Sequence, residues 1–142
     1  MFTIRLKAIA SSLVFLIIGI GAFYFSIIDI IGYFEFQDEI TYSWGDCFAF
    51  VFSFVVFIFS LYPIYVAFYG SPMPICKAKK TYKIALVFFV ASLVSPVIFS
   101  YVYTGKLESL GYIACRGTPL GWTPMMATKY VTDKTLCLAP NK

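Results

Sequence analysis

Three apolar stretches, each long enough to cross a lipid bilayer as a helix, constrain the fold of this chain more than any other feature. They occupy residues 8–31, 47–69 and 84–103. About 20 apolar residues in a helix cross the hydrocarbon core of a membrane, which is about 30 Å thick. The second stretch opens with alternating phenylalanines, a pattern typical of a strand. It is too long for a strand, and an unpaired strand in lipid leaves its backbone polar groups unsatisfied. The stretches therefore predict an all-α transmembrane fold.

The composition supports a membrane protein and argues against several other classes. Hydrophobic residues make up 61% of the 142 residues and charged residues 13%, and the mean hydropathy is +0.85. Soluble domains carry about 25% charged residues. The net charge is +4, but the basic residues are scattered among apolar runs, so we expect no nucleic-acid partner. Histidine, the commonest general base and metal ligand, is absent.

The distribution of basic residues predicts how the chain crosses the membrane. Arg5 and Lys7 precede the first span, four lysines lie between the second and third spans, and the loop between the first and second has neither Lys nor Arg. Basic loops remain in the cytoplasm. We therefore expect a cytoplasmic N-terminus (1–7), an external loop (32–46), a basic cytoplasmic loop (70–83) and an external tail (104–142). The third helix can extend to about residue 110, with Gly111 as its C-cap.

An alternative interpretation of the first span is a cleaved signal peptide. Gly19-Ile20-Gly21 resembles a small-x-small cleavage site after an apolar core. Apolar sequence continues through Ile31, which favours a retained helix.

Small residues recur at helical spacing in each span. In lipid, helices associate through close backbone approach and hydrogen bonds, so these positions predict the faces that pack together in a three-helix membrane bundle. Chance recurrence is the alternative. The bulky Phe50, Phe54 and Phe57 are then expected to face lipid. The predicted packing positions are Ala8, Ser12, Phe15, Gly19, Ala22, Ser26 and Asp29; Ala49, Ser53, Val56, Ser60, Pro63 and Ala67; and Ala85, Ser92 and Ser95.

Asp29 is the only charged residue inside a predicted span. Carboxylates within a membrane are candidates for function. Asp29 lies near the outer end of its span, so an interfacial or capping role competes with a polar contact inside the bundle or with a membrane-embedded partner.

The cysteines predict that the tail is closed by a disulfide. Cys115 and Cys137 share the tail, whereas Cys76 lies in the basic loop and Cys47 at the outer end of the second span. Two cysteines in an oxidising space can pair, and closing this loop stabilises it by about 3 kcal/mol. Pairing of Cys47 with one of the tail cysteines is the alternative. We expect a small disulfide-stapled extracytoplasmic C-terminal cap.

No pattern in the sequence predicts catalysis or cofactor binding. There is no C-x-x-C, no cluster of metal ligands, no Gly-rich phosphate loop and no pairing of a nucleophile with a base. We therefore expect a protein that is not an enzyme and uses neither a cofactor nor a metal.

The outer loop and the tail hold the candidate partner-binding residues. Residues 129–132 have strand propensity, and the aromatic residues of both segments, with Met125 and Met126, can form a cap over the bundle. Aromatic and arginine side chains are enriched at binding hot spots, whereas simple anchoring at the membrane interface is the alternative. The candidates are Glu35, Asp38, Glu39, Trp44, Asp46, Arg116, Trp122 and Tyr130.

The tail also carries a resemblance. The segments G-Y-I-A-C (111–115), W-T-P (122–124) and K-Y-V-T-D-K-T-L-C (129–137) resemble the C-terminal signature of a family of short, three-span inner-membrane proteins of Gram-negative bacteria, a domain of unknown function. The resemblance extends over the whole chain. It implies a bacterial inner-membrane location, with the loop 32–46 and the tail 104–142 in the periplasm. It also supports pairing of Cys115 with Cys137, which match the paired cysteines of the family.

More loosely, the layout resembles small membrane immunity proteins, which are short, multi-span and without catalytic residues. This likeness implies binding and neutralisation of an antibacterial toxin at the membrane or in the periplasm. The alternative is a non-catalytic accessory subunit that stabilises a larger membrane complex. A transporter or channel is the third hypothesis, but three spans with one peripheral carboxylate make a poor pathway. The expected partners are the lipid bilayer and a protein.

Overall fold

The computed structural model describes residues 2–115 and 127–138, and three long helices make up most of that part of the chain. Helix α1 spans Phe2–Tyr33, α2 spans Trp44–Tyr69 and α3 spans Ile75–Ser109. All three are long and apolar enough to cross a membrane, which confirms the predicted fold class. The short elements are strands β1 (Glu39–Ser43), β2 (Ile113–Ala114) and β3 (Ala127–Val131) and the 3-10 helix η1 (Lys134–Leu138).

Helix α2 is the central helix of the bundle. Its extensive contacts are with α1 on one side and with α3 on the other. Helices α1 and α3 meet through aromatic rings where both end, since the Tyr33 and Tyr103 ring centroids lie 5.5 Å apart and those of Phe34 and Phe99 6.4 Å apart. We call this end of the bundle the cap end. The opposite end, where α1 and α3 begin and α2 ends, is called the basic end.

The packing faces follow the small-residue positions predicted from the sequence. Four buried serines illustrate this, because each hydroxyl donates to the carbonyl three residues earlier in its own helix, at 2.6–2.8 Å. The serines therefore act through their small size rather than by bonding across helices. Phe15 and Asp29, also predicted on the packing face, are exposed. The buried predicted positions are Ala8, Ser12, Gly19, Ser26, Ser53, Val56, Ser60, Ala85 and Ser92.

The expectation that the bulky phenylalanines of α2 face lipid is wrong. The Phe50 ring stacks on Phe23 of α1 at 5.3 Å, and Phe54 contacts both Phe23 and Phe88 of α3. Phe57 lies against Gly19, where a β-carbon would stand 2.7 Å from its ring. Along the rows of small residues, the helix backbones lie close together. The phenylalanine rings fill the wider gaps between the helices on either side of these rows.

The helix ends show how the sequence sets the boundaries. Helix α2 begins at the N-cap Ser43, whose hydroxyl accepts from the Gly45 amide, and ends at Gly70 with φ of 68°. Helix α3 begins at Ile75, so the four lysines of the expected 70–83 loop, at 77, 79, 80 and 83, lie on its first turns. It ends at Ser109, close to the predicted limit, and Gly111 follows with φ of 87°. Neither Pro63 nor Pro96 ends its helix.

The cap end carries a small sheet that adds a β element to the helical fold. The strand order is β1-β3-β2, with both pairings antiparallel. Strand β3 confirms the strand propensity of residues 129–132, whereas β1 lies in a segment expected to be a loop. Its pairing with β3 sets Ile40 opposite Tyr130 and Tyr42 opposite Thr128. The outer loop and the tail therefore form one structure.

The predicted disulfide joins Cys115, just after β2, to Cys137 in η1, with the two Cα atoms 5.5 Å apart. Cys47 is a buried free thiol and Cys76 an exposed one, so the alternative pairing through Cys47 is wrong.

Replacing Gly19 with valine is expected to weaken the packing of α1 on α2. The new side chain must displace the Phe57 ring, and such overpacking costs about 1–3 kcal/mol. Gly21→Val is the matched control, because a β-carbon there meets nothing within 4 Å. Unfolding in mixed detergent micelles measures both. Equal stability of the two variants would contradict the close approach at Gly19.

Removing the disulfide is expected to destabilise the cap and leave the helices intact. For Cys115→Ser with Cys137→Ser, the model of loop entropy gives a loss of about 3 kcal/mol. Hydrogen exchange of the β3 amides should then accelerate by roughly a hundredfold, with exchange in the middle of α2 unchanged. Cys76→Ser serves as the control, because that thiol is free and exposed. Unchanged exchange in β3 would show that the sheet does not depend on the bond.

Candidate functional site

The cap end is built on three tyrosine rings, one from α1, one from β1 and one from α3. The ring centroids of Tyr33, Tyr42 and Tyr103 lie 5.4–5.5 Å from one another. All three side chains are buried, and Ile40, Leu107, Tyr112 and Tyr130 complete the cluster. Aromatic pairs at such distances contribute about 0.5–1.5 kcal/mol each beyond the area they bury. The cluster therefore forms a rigid base for the surface above it.

Hydrogen bonds from the tyrosine hydroxyls hold the chain segments around this base. The Tyr103 hydroxyl donates to the Tyr33 carbonyl at 2.6 Å, which ties α3 to the end of α1. The Tyr112 hydroxyl lies 2.9 Å from the carbonyls of both Phe36 and Gln37. Buried backbone carbonyls need such donors, because an unsatisfied one costs about 1–3 kcal/mol. The tail thereby holds the turn that follows α1.

The Tyr33 hydroxyl connects α1 to the start of α2. It donates to the Asp46 carboxyl and accepts from the Ser43 amide at 3.0 Å. Ser43 is the N-cap of α2 and Asp46 lies in the first turn, where an acidic side chain is favoured by the helix dipole. One phenol therefore fixes the place where β1 passes into α2.

Three carboxyl groups line a cleft beside this junction. The cleft has a volume of about 530 Å³ and lies between the end of α1 and β1. Asp29 comes from α1, Glu39 from β1 and Asp46 from α2, so three separate elements bring them together. We call this the acidic cleft. The neutral side chains of Gln37 and Thr41 also line it.

The three carboxyl groups of the acidic cleft differ in their partners. Glu39 forms an ion pair of 2.9 Å with Lys129 of β3, whose ammonium also donates to the Leu136 carbonyl at 3.1 Å. Lys129 is only 2% exposed, whereas Glu39 is 39% exposed. Asp46 is half-buried against Tyr33, and Asp29 is exposed. Asp29 is therefore the carboxylate of the cleft most open to a partner.

A second depression lies between β1 and α3. It measures about 540 Å³, and Tyr42, Trp44, Tyr101 and Tyr130 contribute its aromatic lining. We call it the aromatic pocket. Burial raises the pKa of Tyr42, and the Ser100 hydroxyl partly offsets the effect. Burial likewise raises the pKa of Tyr130, with a smaller contribution from the charge of Glu108. Both phenols are therefore neutral at physiological pH.

The structure divides the predicted partner-binding residues into groups. Glu39 and Asp46 meet in the acidic cleft together with Asp29, which the sequence singled out separately. Trp44 and Tyr130 meet in the aromatic pocket, although Tyr130 is buried and serves mainly the core.

The other predicted residues lie apart or outside the described chain. Glu35 and Asp38 are exposed on the turn after α1 and line neither depression, and Glu35 accepts a hydrogen bond from Gln37 at 2.8 Å. Arg116 and Trp122, like Met125 and Met126, lie outside the described residues.

Sequence reasoning missed the residues that organise the surface. Tyr33 and Tyr103 stand near the ends of the first and third spans, and nothing in the neighbouring sequence signals their hydrogen bonds. In the sequence, Lys129 is one of several basic residues of the tail, and nothing distinguishes it from the others. Its pairing with Glu39 follows from the strand register, because Lys129 lies opposite Thr41 and therefore diagonal to Glu39. That register was the missing information.

Comparison with known proteins identifies the family. The family described as "Protein of unknown function (DUF1240)" matches residues 40–138. The chain belongs to this family. The DUF1240 segment begins in β1 and ends with η1, so it contains both partners of the β1–β3 pairing and both disulfide cysteines. No curated protein and no solved structure matches the chain.

Replacing Tyr33 with phenylalanine is expected to loosen the junction of α1 with α2. The ring is kept, but the Asp46 carboxyl and the Ser43 amide lose their shared partner. Hydrogen bonds to charged groups contribute about 1.5–3 kcal/mol, so the free energy of unfolding should fall by about 2 kcal/mol.

Tyr24→Phe is the matched control, because Tyr24 lies on the same helix and is 58% exposed. Unfolding in mixed micelles compares the two variants. A loss no larger for Tyr33→Phe than for Tyr24→Phe would refute this role of the hydroxyl.

Proposed function

We propose that this membrane protein is an immunity protein that binds an antibacterial toxin at its cap end and thereby neutralises it. The observation that carries the proposal is the juxtaposition of the acidic cleft and the aromatic pocket with β1 between them. One depression offers carboxylates and the other offers aromatic rings. This combination suits recognition of a protein surface, because charge guides association and desolvated aromatic contacts supply affinity.

The charges along the bundle are strongly polarised. All seven acidic residues lie at the cap end, whereas six basic residues and no acidic residue lie at the basic end. Basic segments stay on the cytoplasmic side of bacterial membranes. We therefore propose that the basic end faces the cytoplasm and that the cap end faces the periplasm of the inner membrane, where an incoming toxin arrives.

The arrangement of the cleft favours binding over catalysis. Asp46 is engaged by Tyr33 and Glu39 by Lys129, so two of the three carboxyl groups are held in structural contacts. Within residues 2–115 and 127–138, no group of three potential ligands is placed to hold a metal ion. We propose a non-catalytic role in which Asp29, with Glu35 and Asp38 on the turn after α1, presents negative charge to a basic surface of the toxin.

The rigid base under the cleft also supports a binding role. The tyrosine cluster and the disulfide hold the two depressions in place before a partner arrives. A preorganised surface loses less conformational freedom on association, which raises affinity without adding contacts.

A protection assay in intoxicated cells tests the proposal. Cells that express the toxin-like product of a gene adjacent to the gene for this chain should survive when they also express this chain. Asp29→Asn together with Glu35→Gln and Asp38→Asn should lower the association rate by about tenfold or more at low salt, and protection should fall with it. These three residues are exposed, so the fold should persist.

Glu108→Gln with Asp133→Asn is the control, because these exposed carboxylates lie on the cap end but belong neither to the acidic cleft nor to the turn after α1. Loss of protection in the control alone would place the contact elsewhere on the cap. If the wild-type chain gives no protection and instead purifies with a resident membrane assembly, it acts as an accessory subunit and the immunity proposal is wrong.

A further inference from the structure

The basic end of the bundle contains an apolar cavity that the proposed function does not use. Its volume is about 620 Å³, which lies within the range of sites for small ligands. Helix α1 forms one wall and α3 the other, with α2 as the floor. Ser11, Phe15, Tyr62, Val66 and Tyr82 are among the side chains that line it, and Lys7 stands among them as the one charged residue.

The cavity exists because α1 and α3 meet at the cap end but are separated at the basic end. Rings such as Tyr33 and Tyr103 close the gap between the two helices at the cap end. At the basic end several of the facing positions are small, among them Ala8 on α1 and Ala78 and Ala85 on α3. Small side chains across such a separation leave space that none of the described residues fills.

The position of the cavity relates it to the membrane surface. Lys7 lies one turn before Ser11 on α1, at the edge of the apolar span, where a lysine extends its ammonium to the headgroup region. Three lysines of the first turns of α3, at positions 79, 80 and 83, are exposed nearby, and this end has no acidic residue. The mouth of the cavity therefore has a positive potential that no carboxylate of the chain offsets.

Two of the other basic side chains at this end already have contacts. The Arg5 guanidinium lies over Gly70, and the Lys77 ammonium lies 5.8 Å from the centre of the Tyr65 ring. Lys7 forms no ion pair within the described part of the chain. It is therefore the cation placed to meet an anion that enters at the cavity.

We propose that this cavity binds an anionic glycerophospholipid, with one acyl chain between α1 and α3 and the phosphate on Lys7. Basic pockets between membrane helices suit such headgroups. A second apolar cavity of about 300 Å³, lined by α2 and α3, shares Phe59, Tyr82 and Ala85 with the first. A transmembrane helix of a partner fits less well, because it needs a groove along the whole bundle and the tyrosine rings close this gap at the cap end.

Native mass spectrometry of the full-length protein in detergent tests the proposal. Phosphatidylglycerol and phosphatidylcholine with identical acyl chains are added in competition. Phosphatidylglycerol should be retained preferentially, and Lys7→Gln should reduce that preference by about fivefold, the effect of one basic residue near a membrane surface. Lys106→Gln at the cap end is the matched control and should leave the preference unchanged.

A second variant tests the cavity itself. Ser11→Phe fills the space from an exposed position and should abolish retention of both lipids, whereas Ala10→Phe, one residue away and outside the lining, should not. Equal retention of the two lipids, or retention in Ser11→Phe equal to that of the wild type, overturns the proposal. A dimer that only Ser11→Phe dissociates would also overturn it, because the occupant would then be a second copy of the chain.

Discussion

The cap end depends on the hydrogen bonds of the Tyr33 hydroxyl. The phenol binds the N-cap Ser43 and the first-turn Asp46 of α2 at once, while its ring packs on Tyr42 and Tyr103. The end of α1, the start of α2 and the end of α3 are thereby joined at one point. Because β1 leads directly into α2, the same point also positions the sheet.

The packing between α1 and α3 differs sharply between the two ends of the bundle. At the cap end, aromatic rings close the space between α1 and α3, and the sheet and disulfide cover it. At the basic end α1 and α3 are separated, and the space between them stays open. The two functions that we propose follow this division, with binding of a protein at the cap end and binding of a lipid at the basic end. The polarised charges match this division, with every carboxylate at the cap end.

The packing faces were predictable, whereas the roles of large side chains were not. Small residues such as Ser53 and Ser92 mark positions where backbones approach closely, and both are fully buried. The expectation that the phenylalanines of α2 face lipid was wrong, because the size of a side chain alone does not distinguish a lipid-facing ring from one that packs between helices. Phe57 illustrates this, since its position depends on the absence of a side chain at Gly19 on another helix. That information is not local.

The sequence by itself determined the three spans, the small-residue faces, the polarity of charge and, with the family resemblance, the disulfide. Each depends on composition or on spacing within a segment. Only the tertiary structure decided that β1 pairs with β3, that Asp29, Glu39 and Asp46 meet in one cleft, and that a cavity opens beside Lys7. These features depend on strand register and on the separation of helices distant in sequence, which no local pattern encodes.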